Sequence, residues 1–188
     1  MSTSRIWRFA PVVVVALIAA GAGLWFGRAS QLPPVKPVPA GVVVAERGDL
    51  APDIRLPDLD GTVHGLAAWR GRPLLINYWA SWCAPCVEEM PLLAGFAAAE
   101  SARPDGVQVV GIALDEIDAV EAFLQRVPVA YPILMEIAGP DDSSVRLGNT
   151  RGVLPYSVLL DAEGRIVRTK LGPFSHDELE RWARPAAR

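Results

Sequence analysis

The chain has 188 residues, 51% of them hydrophobic, with 18 basic against 21 acidic side chains and a formal net charge of −3. That length fits one domain of ordinary size plus an appendage, and the apolar share suffices for a sizeable core. The slightly acidic balance, with no dense basic run, excludes the electrostatic footprint of a nucleic-acid binder and of a polybasic membrane patch.

Arg5 and Arg8 precede "FAPVVVVALIAAGAGLWFG", residues 9–27, which carry no charged side chain. Nineteen helical residues span about 28 Å, close to the ~30 Å hydrocarbon core of a bilayer. Trp25 and Phe26 stand at the far end, where interfacial aromatics belong. The run is longer than the usual signal core of about 7–15 residues, so an uncleaved anchor is the favoured reading. A cleaved secretory signal is the alternative, because "AAGAG" offers small residues to a peptidase. Under either export reading residues 1–8 stay in the cytoplasm and everything after Arg28 is translocated. The next segment, "QLPPVKPVPAG", carries Pro33, Pro34, Pro37 and Pro39. Such spacing suits neither helix nor central strand, and residues 28–47 are expected to be an extended, semi-rigid spacer.

From Gly48 to the C-terminus, strands and helices are expected to alternate. "DIRLPDLDGTVHGL" reads as a strand pair around an Asp60-Gly61 turn. "PLLINYWA" is a short apolar run of the kind buried on both faces. "APCVEEMPLLAGFAAAES" follows as a helix, then "VQVVGIAL" as a second buried strand and "DEIDAVEAFLQRV" as a helix capped by Asp115. "YPILME" suits a short strand, and "PYSVLLDAEGRIVRTKL" a hairpin turning at Asp161–Gly164. Ser175 and Glu178 give a capping box for a last helix, "HDELERWAR". The pattern predicts an α/β fold over 48–188: a central mixed sheet with helices on its faces.

The only two cysteines, Cys83 and Cys86, lie in "NYWASWCAPCVEEMP", between the first buried strand and its helix. Cys83 is then at or just before the first helical turn, where unpaired N–H groups and the positive end of the macrodipole stabilise a thiolate. Its pKa should fall below the ~8.5 of a free cysteine. Cys86 is about one turn further on and should face inward, close enough for a disulfide. An accessible acidic thiol beside a shielded one suits thiol–disulfide exchange: the first attacks a partner's disulfide and the second resolves the mixed disulfide. Pro85 suits the first helical turn. A purely structural bridge over so short a loop would stabilise little, and a metal site would need more ligands than one C-x-x-C and two distant histidines supply. Helix geometry points Glu89 along the stripe of Cys86, Leu93 and Phe96, and Glu88 to solvent. A half-buried Glu89 carboxyl would have a raised pKa and could exchange a proton with Cys86; its plainer role is a solvated first-turn acid.

Four elements in order, namely the "APDIRLPDLDG" hairpin, the active-site stretch, "VQVVGIALDEIDAVEAFLQRV" and "LPYSVLLDAEGRIV", resemble the thioredoxin superfamily. The likeness is to the membrane-tethered TlpA/ResA/CcmG-like disulfide reductases, from about Ala51 to the C-terminus. It implies a thioredoxin-like fold with an N-terminal β-hairpin and an inserted strand and helix. It implies Cys83 as nucleophile, Cys86 as resolving thiol and Glu89 as active-site acid. It also implies a cis Leu154–Pro155 bond opposite the cysteines, with Leu154 and Pro155 facing substrate and Trp82 shaping the rim. Asn77 stands where plain thioredoxin has a buried aspartate, and Tyr156 where a threonine is common. The Gly-Val-x-x-Glu pattern of cytochrome c maturation reductases is missing before Pro155. The expected activity is reduction of disulfides in exported proteins by a periplasmic domain tethered to the bacterial inner membrane. No cofactor or metal is called for, and a membrane thiol donor of the DsbD/CcdA-like kind would re-reduce the pair. Alternatives on the same fold are a disulfide-forming oxidant, a peroxiredoxin-type peroxidase and a copper-binding module.

Overall fold

Arg55–Pro57 (β1) and Val63–Gly65 (β2) pair antiparallel in the computed structural model, which describes residues 33–183. Gly61 turns the hairpin with φ of 81°, a left-handed conformation that glycine adopts without strain. Asp58 organises the turn, its Oδ1 accepting the N–H groups of Asp60 and Thr62 while Oδ2 pairs with His64 Nε2 at 2.7 Å. The apolar run at 9–27 lies outside the described residues, and no helix among those described is long and apolar enough to cross a membrane.

A 3₁₀ turn at Leu66–Trp69 leads into β3, Leu74–Trp79, whose six residues are all buried. The chain continues through α1 (Ala84–Ser101), β4 (Gln108–Leu114), α2 (Ile117–Leu124) and β5 (Ile133–Glu136). It ends with α3 (Ser143–Arg146), β6 (Tyr156–Leu160), β7 (Ile166–Leu171) and α4 (His176–Ala183). The strands form one sheet in the order β5-β4-β3-β6-β7. β3, β4 and β5 run parallel because a helix returns the chain between each pair. β6 and β7 are antiparallel, joined by the turn that Asp161 closes with Gly164.

Alternation along β3 divides the core. Leu75 and Trp79 face a layer built from Met90, Leu93 and Phe96 of α1, Phe123 of α2 and Leu179 of α4. Leu74, Ile76 and Tyr78 face Ile54, Leu56, Leu66 and Leu147. The three longer helices therefore share one face of the sheet. The other is covered by the N-terminal hairpin, the 3₁₀ turn through Leu66 and the α3 segment, whose Ser143 hydroxyl bonds the Tyr78 hydroxyl at 2.9 Å and whose C-cap Leu147 is buried there.

Two end signals differ from expectation. α2 starts at Ile117 with Glu116 at its cap position, since both Asp115 oxygens are engaged elsewhere: Oδ2 by Ser81 and Oδ1 by the Glu116 N–H. Only one arm of the α4 capping box is present, from Ser175 N–H to Glu178 Oε2 at 3.4 Å, and the other carboxylate oxygen of Glu178 pairs with Lys170 at 2.9 Å. Part of the spacer region travels with the domain, since the compact unit begins at Val35. Lys36 N–H donates to Thr150 O and Ala45 N–H to Arg146 O, each at 2.8 Å. Proline removes its own donor but leaves those of its neighbours available.

Candidate active site

The loop between β3 and α1 holds the cysteines at the carboxyl end of the central strand. Cys83 is the N-cap of α1 and Pro85 lies in its first turn. The pair is joined as a disulfide, with Cα atoms 5.3 Å apart. In this state Cys83 retains 5% exposure and Cys86 none, so the leading residue is far less accessible than expected and belongs to the same buried cluster as Cys86. The amides of the first turn are also less available. The N–H of Cys86 bonds Cys83 O at 3.0 Å, and Pro85 has none to give. What remains to favour a Cys83 thiolate is the Ala84 N–H and the macrodipole of an 18-residue helix.

Ser81 fixes this loop from the other side. Its N–H and its hydroxyl both donate to Asp115 Oδ2, at 2.9 and 2.6 Å, tying the residues before Cys83 to the end of β4. Burial works against ionisation of Asp115, yet the bonds from the Ser81 hydroxyl, the Ser81 amide and the Glu116 amide together hold its carboxyl below the usual aspartate value. Trp82, between Ser81 and Cys83, is 70% exposed. It offers a large apolar ring at the rim.

Glu89 is one turn beyond Cys86 and only 3% exposed, more deeply buried than expected, whereas Glu88 faces solvent. Asn77 Nδ2 donates to its Oε1 at 2.8 Å, and the Phe174 backbone N–H donates to its Oε2 at 2.8 Å. Asn77 also donates to Ser157 Oγ of β6. Burial pushes the Glu89 carboxyl up from its ordinary range, while the Phe174 and Asn77 donors and the charge of Lys170 pull it partly back. The result is a carboxyl poised to hold or release a proton inside the layer that contains Cys86. Asn77 Oδ1, Trp79 Nε1 and the Tyr131 hydroxyl, all buried in this part of the domain, have no hydrogen-bond partner among the described residues.

The Leu154–Pro155 peptide is cis. Leu154 packs against the cluster that contains Cys83 and Cys86 and lines a groove of about 340 Å³ together with Trp82. Asn149 occupies both backbone groups of Val153, accepting its N–H at Oδ1 and donating from Nδ2 to its carbonyl. The N–H and carbonyl of Leu154 have no hydrogen-bond partner among the described residues, leaving a short edge beside Pro155 where an extended strand can pair. Tyr156 turns to the opposite face of the sheet, where its hydroxyl donates to Leu147 O at 2.9 Å.

Sequence reasoning named Cys83, Cys86, Glu89, Trp82, Leu154 and Pro155; the structure brings Trp82 and Leu154 to one groove, joins the two cysteines and buries Glu89 one turn beyond Cys86. It missed Asp115 as the loop's anchor, Phe174 as a donor to Glu89 and Asn149 as the brace before Pro155. The Asn77 departure was a legible signal; the others depend on long-range proximity that no local pattern encodes.

A mixed five-stranded sheet with a cysteine pair opening the helix after its central strand, and a cis proline leading into β6, defines a thioredoxin-like thiol-disulfide oxidoreductase. The chain belongs to the Redoxin family, whose profile matches residues 46–182, and within the thioredoxin superfamily it is a TlpA/ResA/CcmG-like protein. It is 30% identical over 135 residues to the thiol-disulfide oxidoreductase ResA of Geobacillus kaustophilus (strain HTA426), covering 71% of this chain and 74% of that one. It is 26% identical over 175 residues to the sporulation thiol-disulfide oxidoreductase A of Bacillus subtilis (strain 168), covering 91% and 92%. Among solved structures it is similar to a secreted Mycobacterium tuberculosis disulfide oxidoreductase homologous to E. coli DsbE, with a TM-score of 0.57, 26% identity and coverage of 68% and 91%. The protein is an enzyme of dithiol–disulfide exchange.

Proposed function

We propose that the chain is a disulfide reductase acting on exported proteins, anchored by residues 9–27 in the bacterial inner membrane with its domain in the periplasm. The observation that carries the reductive chemistry is the cysteine pair at the N-terminus of α1 with buried Glu89 one turn behind it. In the reduced enzyme the Cys83 thiolate attacks one sulfur of a substrate disulfide, forming a mixed disulfide and releasing the other substrate sulfur as a thiolate. Cys86 passes its proton to the Glu89 carboxylate and attacks the Cys83 sulfur. The Cys83–Cys86 bridge forms, the second substrate sulfur leaves, and two electrons have moved from enzyme to substrate. A membrane dithiol donor of the DsbD/CcdA-like kind returns the pair to its reduced state, since the compartment is oxidising. Cysteine chemistry supplies the electrons without a further cofactor.

The test uses the full chain. Cys83→Ser is expected to abolish reduction of insulin disulfides, and Cys86→Ser to accumulate a mixed disulfide with substrate on a non-reducing gel. Full activity in Cys83→Ser would overturn the assignment. For the location, a membrane-impermeant thiol reagent should label the reduced cysteines in intact spheroplasts; labelling only after lysis would place the domain on the other side.

A further inference from the structure

We propose that Lys36 is a specificity-determining residue, favouring substrates that carry a carboxylate side chain next to the disulfide cysteine. The inference rests on the reductase reading above and extends it to the residues flanking the substrate cysteine. Its basis is the groove beside Trp82 and Leu154. Its lining includes the segment Lys36–Val38 together with Ala138 and Pro140.

The segment is seated there by a backbone bond, and its lysine side chain lies against a neighbouring turn. Lys36 N–H donates to Thr150 O at 2.8 Å. The Lys36 side chain lies over Gly152, where a Cβ would come within 2.7 Å of Nζ and 3.4 Å of Cε. Gly152 has φ of +62°, so a glycine there both adopts the left-handed turn and leaves room for the lysine.

Charge then selects the occupant. The Lys36 side chain is exposed, and its ammonium makes no ion pair among the described residues. Asp142 is the acidic side chain of the groove lining. It is only 8% exposed, and its oxygens accept from Gly139 N–H, Ser144 Oγ and Val145 N–H. Its oxygens are taken up in capping α3 and bracing the chain before it, away from solvent. The groove therefore presents an apolar rim at Trp82, an open backbone edge at Leu154 and, at Lys36, one exposed positive charge held in no ion pair among the described residues. An extended peptide pairing at Leu154, with an aspartate or glutamate beside its cysteine, complements all three features.

The experiment compares three disulfide peptides that differ only in having Glu, Gln or Lys beside the cysteine, reduced by the full-length chain in detergent at low salt. The expected order of kcat/KM is Glu, then Gln, then Lys, with about fivefold between the ends, the scale of an exposed ion pair, and the spread should collapse at high salt. Lys36→Arg is expected to keep the order and Lys36→Glu to invert it. Arg47→Glu, an equal charge change at an exposed residue outside the groove, is expected to keep the wild-type order. The same order in wild type and Lys36→Glu would overturn the proposal, as would inversion by Arg47→Glu, which would reduce the effect to net charge. Fluorescent analogues with serine for cysteine, followed by anisotropy, read the preference without the chemistry. If no peptide is reduced, the reductase reading falls, and the ranking of dissociation constants for these analogues still decides the role of Lys36.

Discussion

Glu89 is held by two opposing influences whose balance can be titrated. Burial disfavours its charge, while the Phe174 and Asn77 donors favour it, and burial dominates. Its pKa in the folded chain therefore lies above the ordinary 4.5 that applies when unfolded. The folded state binds this proton more tightly. The Glu89 contribution to stability is greatest below the unfolded value and is lost as pH rises through the raised folded one. Urea unfolding of wild type and Glu89→Gln between about pH 4 and pH 8 checks this, and the difference is expected to shift against wild type as pH rises. A flat difference would mean that the buried carboxyl titrates like an exposed one. Helix periodicity was enough to aim Glu89 inward with Cys86. Of its two donors Asn77 was signalled by its departure from a buried aspartate, whereas Phe174 was not legible, because it comes from the segment before α4, which only the completed sheet brings to α1.

At the scale of elements, α1 and β3 were readable because each carries a strong local signal: five apolar or aromatic residues around Asn77 in β3, and a long helix-forming run behind Pro85, with Pro91 as its one exception. The cover of the second sheet face was not readable. Hairpin residues Ile54 and Leu56 look alike whether they pack on the sheet or on each other. The start of α2 was misplaced because Asp115 has the right chemistry for a cap but serves Ser81. A further element-scale feature is the turn from α1 into β4. The buried Glu100 accepts the Val107 N–H at 2.9 Å, and a Cβ on Gly106 would overlap the Glu100 carbonyl oxygen. That oxygen is backbone and cannot swing aside, so Gly106→Ala must move the end of α1 or the start of β4. The expected loss is about 1–3 kcal/mol, the range of overpacked sites, measured by chemical denaturation of the oxidised protein. A variant as stable as wild type would show that this turn yields freely.

At the scale of the whole molecule, the direction of electron flow is a statement about which redox form folds more tightly. The disulfide closes across the N-terminus of α1, and its sulfurs join the cluster that includes Met90 and Leu93. The dithiol must instead place a thiolate at Cys83, where Pro85 and the Cys83–Cys86 backbone bond leave few amides to receive it. On the proposed reductase reading both features act to favour the bridged form, the property of a reductant, whereas a strong oxidant is one whose reduced form is the more stable. Folding and reduction make a closed cycle. Each 30 mV by which the folded domain's potential falls below that of the unfolded Cys83–Cys86 segment therefore adds about 1.4 kcal/mol to the stability of the oxidised over the reduced protein. The oxidised chain is thus expected to unfold at higher urea than the reduced chain, and its potential, equilibrated against glutathione, to lie well below roughly −200 mV. A reduced form that outlasts the oxidised one, with a potential near −120 mV, would reverse the sign and make the protein a donor of disulfides.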